Sequence, residues 1–287
     1  MSSVLFRLSA FGDEITPDLS GQLQLLSELN VSSLEFRSAW GKNVKDLDDH
    51  EVSLVASTCQ QYGITISCIG SPVGKSSIEN PFEAEINILR RIFYVAEKLG
   101  TRNIRIFSFY PPQGADKNAY LEESIRRLSI FAELAQKVNM VLMLENDEGL
   151  IGDNIERCHA ILSRINSPHL RFAWDGANFV ASGVSAPTIN GWAKLGSYIG
   201  TAHIKDARAA DHTKRAAGEG DAQISELLQN LEADKFQGFL AVEPHPFMVD
   251  GQGELRGGAG MTYAVNALRK LLTTLQYTED QTVRHLD

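Results

Sequence analysis

Short apolar runs alternate along the chain with longer stretches in which apolar residues recur every three or four positions. The short runs are rich in Val, Ile, Leu and Phe, and turn-forming residues bracket most of them, which is typical of β-strands. The spacing in the longer stretches is that of one apolar face on an α-helix. This pattern predicts eight strands: Val4–Ala10, Ser33–Ala39, Thr65–Gly70, Asn103–Phe109, Val141–Glu145, Leu170–Asp175, Ile199–Lys205 and Phe239–Glu243.

Amphipathic helical stretches follow these strands, the clearest of them at Leu19–Leu29, Ile86–Leu99, Leu121–Val138 and, after the last strand, Val265–Leu275. Successive strands begin about 30 to 40 residues apart, which leaves room for one strand, one crossover helix and two loops. Because each helix carries the chain back to the same edge, the strands are expected to be parallel. Eight such units satisfy barrel closure. The sequence therefore predicts an α/β fold, a single-domain (β/α)8 TIM barrel.

An open doubly wound sheet is the alternative for the same alternation. It usually carries a Gly-x-Gly-x-x-Gly turn after the first strand, whereas the chain reads Ala-Phe-Gly-Asp-Glu at residues 10–14. No linker or low-complexity segment marks a second domain. We therefore expect one barrel over residues 1–277, followed by a polar C-terminal tail at residues 278–287.

Composition narrows the class of protein. The 287 residues include 27 Lys and Arg and 36 Asp and Glu, so the net charge is −9. A field of this sign repels phosphate, which argues against nucleic acid or an anionic membrane as a partner. No apolar run is long enough to span a bilayer. The three cysteines form no Cys-x-x-Cys pair, which fits a reducing compartment, and we expect a cytoplasmic protein.

Four consecutive predicted strands each end on a residue that could bind a metal. They are Glu145, Asp175, His203 and Glu243. Any one of them could instead cap a helix or make a structural hydrogen bond. Together they are harder to explain in that way, because neighbouring strands are about 4.8 Å apart and three carboxylates packed so closely repel one another unless a cation neutralises them.

The donor set indicates which metal to expect. Three carboxylates and one imidazole suit Mn²⁺ first, with Mg²⁺, Co²⁺ or Zn²⁺ also suited, and the lack of a thiolate argues against a structural zinc site. The sequence thus predicts one divalent metal at the C-terminal face of the barrel, where such barrels carry their active sites.

Five motifs follow one another in the order typical of a known family. They are Leu144–Asn146, Trp174–Asn178, His203–Asp206, Gly218–Asp221 and Val242–Pro244. With them the chain, from about Val4 to Leu275, resembles the xylose isomerase-like barrel superfamily. It is most similar to the sugar-phosphate isomerase/epimerase type, which includes keto-sugar 3-epimerases, hydroxypyruvate isomerase and inosose dehydratase. The resemblance implies that the same four residues are the metal ligands and that the two glutamates also act as acid and base.

The resemblance also points to substrate-binding residues. Keto-sugar epimerases usually carry a His three residues after the Asp of strand six, and this chain has Asn178 there. Asn can hydrogen-bond a hydroxyl but carries no charge, so the resemblance does not extend to a specific keto-sugar. The substrate-binding Arg that follows the His of strand seven corresponds to Arg208 or Arg215.

Other strand ends supply further candidates. Glu35 closes strand two and is expected to contact substrate, although an ion pair with the nearby Arg37 is the alternative. Lys75, in the loop after strand three, could bind an anion. Lys205 would contact substrate or brace the metal carboxylates, and Asp206 would orient a metal ligand through a hydrogen bond.

These residues permit proton abstraction next to a carbonyl. A divalent metal can stabilise the developing enediolate, and Glu145 and Glu243 can remove and return a proton. The sequence therefore predicts a divalent-metal-dependent isomerase or epimerase of a small sugar or sugar phosphate, acting through a metal-stabilised enediolate. Loss of a β-hydroxyl from the same enediolate gives the runner-up, a metal-dependent dehydratase of an inosose-like substrate.

Two other functions fit less well. An abasic-site endonuclease of the related barrel type needs more histidines at strand ends, and four of the seven here (His50, His159, His169 and His285) lie elsewhere. A non-catalytic sugar-binding barrel would have little use for two carboxylates beside a metal. The expected partner is a small-molecule sugar or polyol, with no nucleic acid and no membrane, and assembly into a homo-oligomer is left open.

Overall fold

The computed structural model describes residues 5–280, in which eight parallel strands close into a barrel. The last strand pairs with the first in parallel register, from Arg7 opposite Phe239 to Ala10 opposite Val242. The strands are β1 (Leu5–Phe11), β2 (Ser33–Phe36), β3 (Thr65–Gly70), β4 (Asn103–Ile106), β5 (Val141–Glu145), β6 (Leu170–Asp175), β7 (Ile199–Ile204) and β8 (Phe239–Val242). This arrangement confirms the predicted TIM barrel.

Helices surround the barrel and carry the chain from each strand to the next. The α-helices of the described residues are α1 (Leu19–Glu28), α2 (Asp49–Tyr62), α3 (Phe82–Lys98), α4 (Leu121–Lys137), α5 (Ile155–Ile165), α6 (Gly176–Ala181), α7 (Pro187–Leu195), α8 (Ile224–Ala233) and α9 (Gly257–Thr274). Local signals set their ends: α2 begins with a capping box formed by Asp48 and Glu51 and ends at Gly63, which has a φ of 65°. In residues 5–280 no helix is both long and apolar enough to cross a membrane.

The alternation of side chains along each strand separates two cores. Leu142 and Leu144 of β5 belong to the large apolar core that packs against the helices. Met143, on the opposite face of the strand, joins Cys68 and Ala173 in a separate small cluster. Glu145 is the next residue on the face of Met143. The same period of two therefore brings the polar residues at the C-terminal strand ends to the inside of the barrel, above this apolar cluster.

Two barrel strands end three residues earlier than predicted, at Phe36 and Ile106, and β7 and β8 each end one residue earlier, at Ile204 and Val242. Beyond Ile106 the backbone N–H of Phe107 donates to the Val73 carbonyl at 2.9 Å, and the N–H of Phe109 donates to the Gly74 carbonyl at 2.8 Å. The chain thus leaves the barrel to pair with the loop that follows β3. After Phe36 it forms a hairpin, in which residues 38–39 pair with residues 42–43.

Three further pairings complete the described chain. Asp206–Ala207 pairs with Lys214–Arg215, and we call this two-stranded element the β7 ribbon. Phe247–Val249 pairs with Gly253–Leu255 beyond β8. Thr278–Glu279 pairs with the start of β1. The segment predicted as a polar tail thus begins with two paired residues, its remainder from 281 to 287 lies outside the described residues, and the boundary at residue 277 stays a prediction.

Candidate metal centre

The structure brings the four predicted metal ligands together. Glu145 and Asp175 are the last residues of β5 and β6, His203 lies one residue before the end of β7, and Glu243 directly follows β8. All four are buried, and each offers a ligand atom within 4.8 Å of those of the other three. We call these residues the four-ligand cluster. Side-chain alternation on four adjacent strands contributes to it, because each residue points into the barrel near the C-terminal end of its strand.

The orientation of His203 explains the position of Glu35. His203 Nδ1 lies 3.0 Å from Glu145 Oε1 and 3.9 Å from Glu243 Oε2, whereas Nε2 faces Glu35 Oε1 at 3.4 Å. Glu35 is buried and does not line the cavity above the cluster. It therefore does not face the space in which the sequence suggested a substrate contact, and it lies where it can accept a hydrogen bond from Nε2–H and so leave Nδ1 free for a metal.

Two buried atoms that make no regular hydrogen bond support a cation at this position. Among the described residues, His203 Nδ1 makes no such bond although Glu145 Oε1 lies 3.0 Å away, and Asp175 Oδ2 has the ion-pair contact with Lys205 Nζ in its place. A buried polar atom left in this state costs free energy, which a bound ion would recover. Three carboxylates and one imidazole are also the donor set that hard divalent cations accept. The residues present therefore fit the predicted metal.

Two buried cationic side chains form ion pairs with carboxylates of the four-ligand cluster. Lys205 Nζ lies 2.9 Å from both Asp175 Oδ2 and Glu243 Oε2, and Arg105 Nη1 lies 2.9 Å from Glu145 Oε2. Burial raises the pKa of Glu145, but His203 and Arg105 outweigh it and bring the pKa to about 2. For Asp175 burial wins over the attraction of Lys205 and raises the pKa to about 6. A divalent cation would favour the ionised form of both.

Arg37 forms an ion pair with Oε1 of Glu243, the carboxylate oxygen that Lys205 does not contact. Its Nη1 lies 2.8 Å from Glu243 Oε1, while Nε and Nη2 contact Asp13 and Glu14 at 2.8 and 2.5 Å. His245 adds a second contact, with Nε2 3.5 Å from Glu243 Oε1. Its backbone has a φ of 47°, which is uncommon for a residue other than Gly. Burial raises the pKa of Glu243, yet Lys205, His245 and Arg37 together hold it well below its usual range.

Sequence reasoning missed Arg105, His245 and the role of Arg37. Arg105 did carry a signal, since it is a charged residue in the middle of the apolar strand Asn-Ile-Arg-Ile. A cation in such a strand needs a buried partner, which the sequence alone did not identify. For Arg37 and His245 the decisive contacts join loops after β1, β2 and β8. No local pattern in the chain reveals such contacts.

Asn178 supports the cluster while also lining the cavity. Its backbone N–H donates to Asp175 Oδ1 at 2.8 Å, and its Nδ2 donates to Glu145 Oε1 at 3.3 Å and to the Asn146 carbonyl at 2.9 Å. Asp175 is at the same time the N-cap of α6. Asn178 thus holds two of the four ligands in position and presents an amide beside the cavity.

Asp206 binds the backbone of a loop and does not orient a metal ligand as expected. Within residues 5–280 its carboxylate accepts from four backbone N–H groups, those of Ala207, Gly218, Gly220 and Ala222, at 2.8 to 3.0 Å. Glycine is needed at 220, because a Cβ there would lie 2.4 Å from Asp206 Oδ1. The expected hydrogen bond to a metal ligand is replaced by these contacts. The Gly-Glu-Gly-Asp motif at residues 218–221 therefore anchors the chain that follows the β7 ribbon to Asp206, just beyond the end of β7.

The two candidate arginines occupy different environments. Arg208 lines the cavity and pairs with the exposed Asp250 at 2.6 Å. Arg215 is buried away from the cavity, where it pairs with the same Asp250 at 2.8 Å and donates to the Met248 carbonyl. Of these two arginines, only Arg208 is positioned to contact a molecule bound in the cavity. Lys75 also lines the cavity, but it is paired with Asp147 at 2.6 Å.

A cavity of about 470 Å³ opens above the cluster. Its wall includes Glu145 and Glu243, whereas Asp175 and His203 lie beneath them and do not line it. The two glutamates come from β5 and β8, with two strands between them. They therefore reach the cavity from different directions.

A family model described as a xylose isomerase-like TIM barrel matches residues 23–265 of the chain. The chain belongs to this family. The resemblance expected from its motifs is thereby confirmed, over most of its length. No curated protein sequence matches it.

Solved structures of similar fold include barrels with different activities. The IolI protein, solved with a bound zinc atom, shares 17% identity at a TM-score of 0.74, with 94% of this chain and 98% of that chain covered. The probable 3-DHS dehydratase AsbF of Bacillus anthracis shares 16% at 0.71, covering 92% and 98%. The 3-keto-D-glucoside 4-epimerase YcjR of E. coli shares 14% at 0.68, covering 93% and 99%. At these identities the likeness establishes the xylose isomerase-like fold.

Proposed function

We propose that this protein is a divalent-metal-dependent isomerase or epimerase of a small sugar or sugar phosphate. The observation that carries the proposal is the position of Glu145 and Glu243. Both line the cavity and belong to the four-ligand cluster, while Asp175 and His203 lie beneath them. A substrate above the cluster would therefore meet one carboxylate on each side.

The cluster would hold the cation through Glu145, Asp175, His203 and Glu243. When bound, a divalent cation supplies Lewis-acid stabilisation of negative charge that develops on oxygen next to the reacting carbon. Mn²⁺ is the first ion to test, because three carboxylates and one imidazole are harder donors than a typical zinc site offers.

The chain's own residues account for the proton movements. One ionised glutamate removes the proton from the carbon next to the carbonyl. Return of that proton to the neighbouring carbon, with transfer of the hydroxyl proton to the former carbonyl oxygen, isomerises the substrate. Epimerisation results when the other glutamate takes up a proton from water and delivers it to the same carbon from the opposite face, while the first glutamate releases its proton to water. Arg37 and Arg105 keep each glutamate oriented through contacts of 2.8 and 2.9 Å, so that reorientation during the reaction is limited.

Lys205 supports a second candidate, a dehydratase of an inosose-like ketone. Its ammonium lines the cavity 2.9 Å from Glu243 Oε2 and carries protons that a departing hydroxyl would need. The first steps are the same as for the isomerase, since both begin with proton loss next to the carbonyl. Product analysis separates them, because only the dehydratase product has lost water.

The experiment is deuterium wash-in from D₂O with Mn²⁺ and a panel of small ketoses, inososes and their phosphates. We expect exchange at the carbon next to the carbonyl for at least one compound. Glu145→Gln and Glu243→Gln should each slow exchange by about 10²–10⁴-fold, the range typical of a lost acid–base group. Glu156→Gln, which changes a surface glutamate paired with Lys194, is the matched control and should exchange normally.

Bound Mn²⁺ should be measured in each variant, so that loss of the metal is separated from loss of the base. Absence of exchange with every compound in the panel would refute proton abstraction for those substrates. Full turnover by Glu243→Gln with its metal retained would refute the acid–base role of Glu243, whereas sugar binding without exchange by the wild-type protein would favour the non-catalytic sugar-binding barrel.

A further inference from the structure

The wall of the cavity carries more positive than negative side chains. Six Lys or Arg residues and four Asp or Glu residues line it. This excess is opposite in sign to the net charge of −9 of the whole chain. A divalent cation in the cluster would increase it further. A field of this sign concentrates anions in the cavity, whereas a neutral sugar gains nothing from it.

Most of these cations already have a carboxylate partner. Lys75 pairs with Asp147 and Arg208 pairs with Asp250, each at 2.6 Å. Lys205, Arg37 and Arg105 contact the four-ligand cluster. Lys214 differs from them, since no carboxylate of the described residues lies at ion-pair distance from it.

The β7 ribbon turns Lys214 toward the cavity. Adjacent residues of a strand point to opposite faces. Arg215 points away from the cavity and is buried against Asp250 and the Met248 carbonyl, so its neighbour Lys214 faces the cavity and lines it. The four backbone hydrogen bonds to Asp206 hold the ribbon at this position.

The ammonium group of Lys214 is also repelled by a second positive charge, that of Lys205. It is accessible at the mouth of the cavity, and partial desolvation there, followed by repulsion from Lys205, lowers its pKa. Two ammonium groups that face one cavity in this way would both be stabilised by an anion bound between them.

We propose that Lys214 binds an anionic group of the substrate, a carboxylate or a phosphate, at the mouth of the cavity. The inference rests on the proposed function only in taking this cavity as the substrate site. It narrows the substrate to a small carbonyl compound that has its reacting carbon over the cluster and its charged group beside Lys214. A lone lysine acts as a point charge, so selection for the anion is by charge more than by shape.

The test compares three related hydroxyketones by calorimetric titration into the Mn²⁺-loaded protein. Dihydroxyacetone is neutral, hydroxypyruvate carries a carboxylate, and dihydroxyacetone phosphate carries a phosphate. We expect at least one of the two anions to bind tighter than the neutral compound. Lys214→Met should weaken that anion about tenfold, as expected for loss of one charged contact, and leave dihydroxyacetone unchanged.

Two further variants make the result specific. Lys214→Arg keeps the charge and should preserve most of the preference for the anion. Lys270→Met removes an exposed lysine of α9, outside the cavity, and should have no effect. Thermal unfolding of each variant establishes that it is folded. The anion whose affinity depends more strongly on Lys214 identifies the group as carboxylate or phosphate.

Equal binding of all three compounds, or a preference for the anion that survives Lys214→Met, would overturn the inference. The titration does not require turnover, so its outcome is separable from that of deuterium wash-in. Anion binding that depends on Lys214 without any exchange would contradict the proposed function alone. Exchange with an anionic compound that proceeds equally well in Lys214→Met would contradict the inference alone.

Discussion

The Asp206→Asn variant tests how the loop over the cavity is held. Asp206 Oδ1 accepts from the N–H groups of Ala207 and Ala222, and Oδ2 accepts from those of Gly218 and Gly220. Asn keeps the size of the side chain but replaces one oxygen with an NH₂ group. Whichever way the amide is turned, two backbone donors then face another donor and lose their acceptor.

The size of the effect follows from these two lost hydrogen bonds. A hydrogen bond to a charged group contributes about 1.5–3 kcal/mol, and buried donors left unpaired add their desolvation cost. Allowing for relaxation of the loop, we expect the free energy of unfolding to fall by about 3–5 kcal/mol. For a chain of this length that lowers Tm by about 6–10 °C.

Thermal unfolding gives the change in Tm, and amide hydrogen exchange locates it. Exchange should accelerate in residues 207–222 before it does so in the barrel strands. Asp18→Asn is the matched control, since Asp18 makes one exposed N-cap bond to Gly21, and Asn caps helices equally well. It should leave Tm within about 1 °C of wild type. An Asp206→Asn variant with wild-type Tm and exchange would refute this account of the loop.

Three further predictions concern the metal, the glycine of the same loop and an acid-sensitive ion pair. Removal of divalent ions with EDTA should lower Tm, and Mn²⁺ at a hundred times its Kd should restore about 2.7 kcal/mol, measured by thermal unfolding. Gly220→Ala should lower Tm, because the added Cβ would lie 2.4 Å from Asp206 Oδ1 and 2.5 Å from the Ala207 carbonyl oxygen. Its effect and that of Asp206→Asn should not add in the double variant. Glu123 has its pKa lowered from 4.5 to about 2, chiefly by its hydrogen bond with Arg126, so its contribution to stability is present above pH 4.5 and lost as the pH falls toward 2. Acid unfolding of Glu123→Gln should therefore converge with that of wild type near pH 2.

A specific result would contradict each of these three predictions. A Tm that EDTA and Mn²⁺ leave unchanged would argue against a bound divalent cation in the cluster. Additive losses in the double variant would mean that Gly220 and Asp206 act independently. A difference between Glu123→Gln and wild type that persists unchanged down to pH 2 would show that the ion pair is not its source.

The fold and the four-ligand cluster were predictable from the sequence because both depend on short-range regularities. Alternation within each strand decides which side chains face the barrel interior, and the repeated strand–helix unit decides that the strand ends meet at one face. Glu145 and Asp175 each follow an apolar residue at a strand end, so their convergence followed from the barrel. Strand ends were less predictable, since Phe107 and Phe109 continue the β-like pattern but pair with the loop at residues 73–74.

Partners that come from distant segments were decided only in three dimensions. Glu35 has the strand-end position of a substrate contact, yet the direction of the His203 ring puts it behind the cluster. Arg208 and Arg215 are equivalent candidates in the sequence, but the β7 ribbon turns Arg215 away from the cavity, whereas Arg208, just beyond the first strand of the ribbon, lines it. Lys214 gains its exposure to the cavity from that same pairing. The sequence by itself determined the barrel and which side chains face its interior, since these are properties of each strand. Only the tertiary structure decided which charges meet, because a Coulomb interaction depends on distance in space and not on separation along the chain.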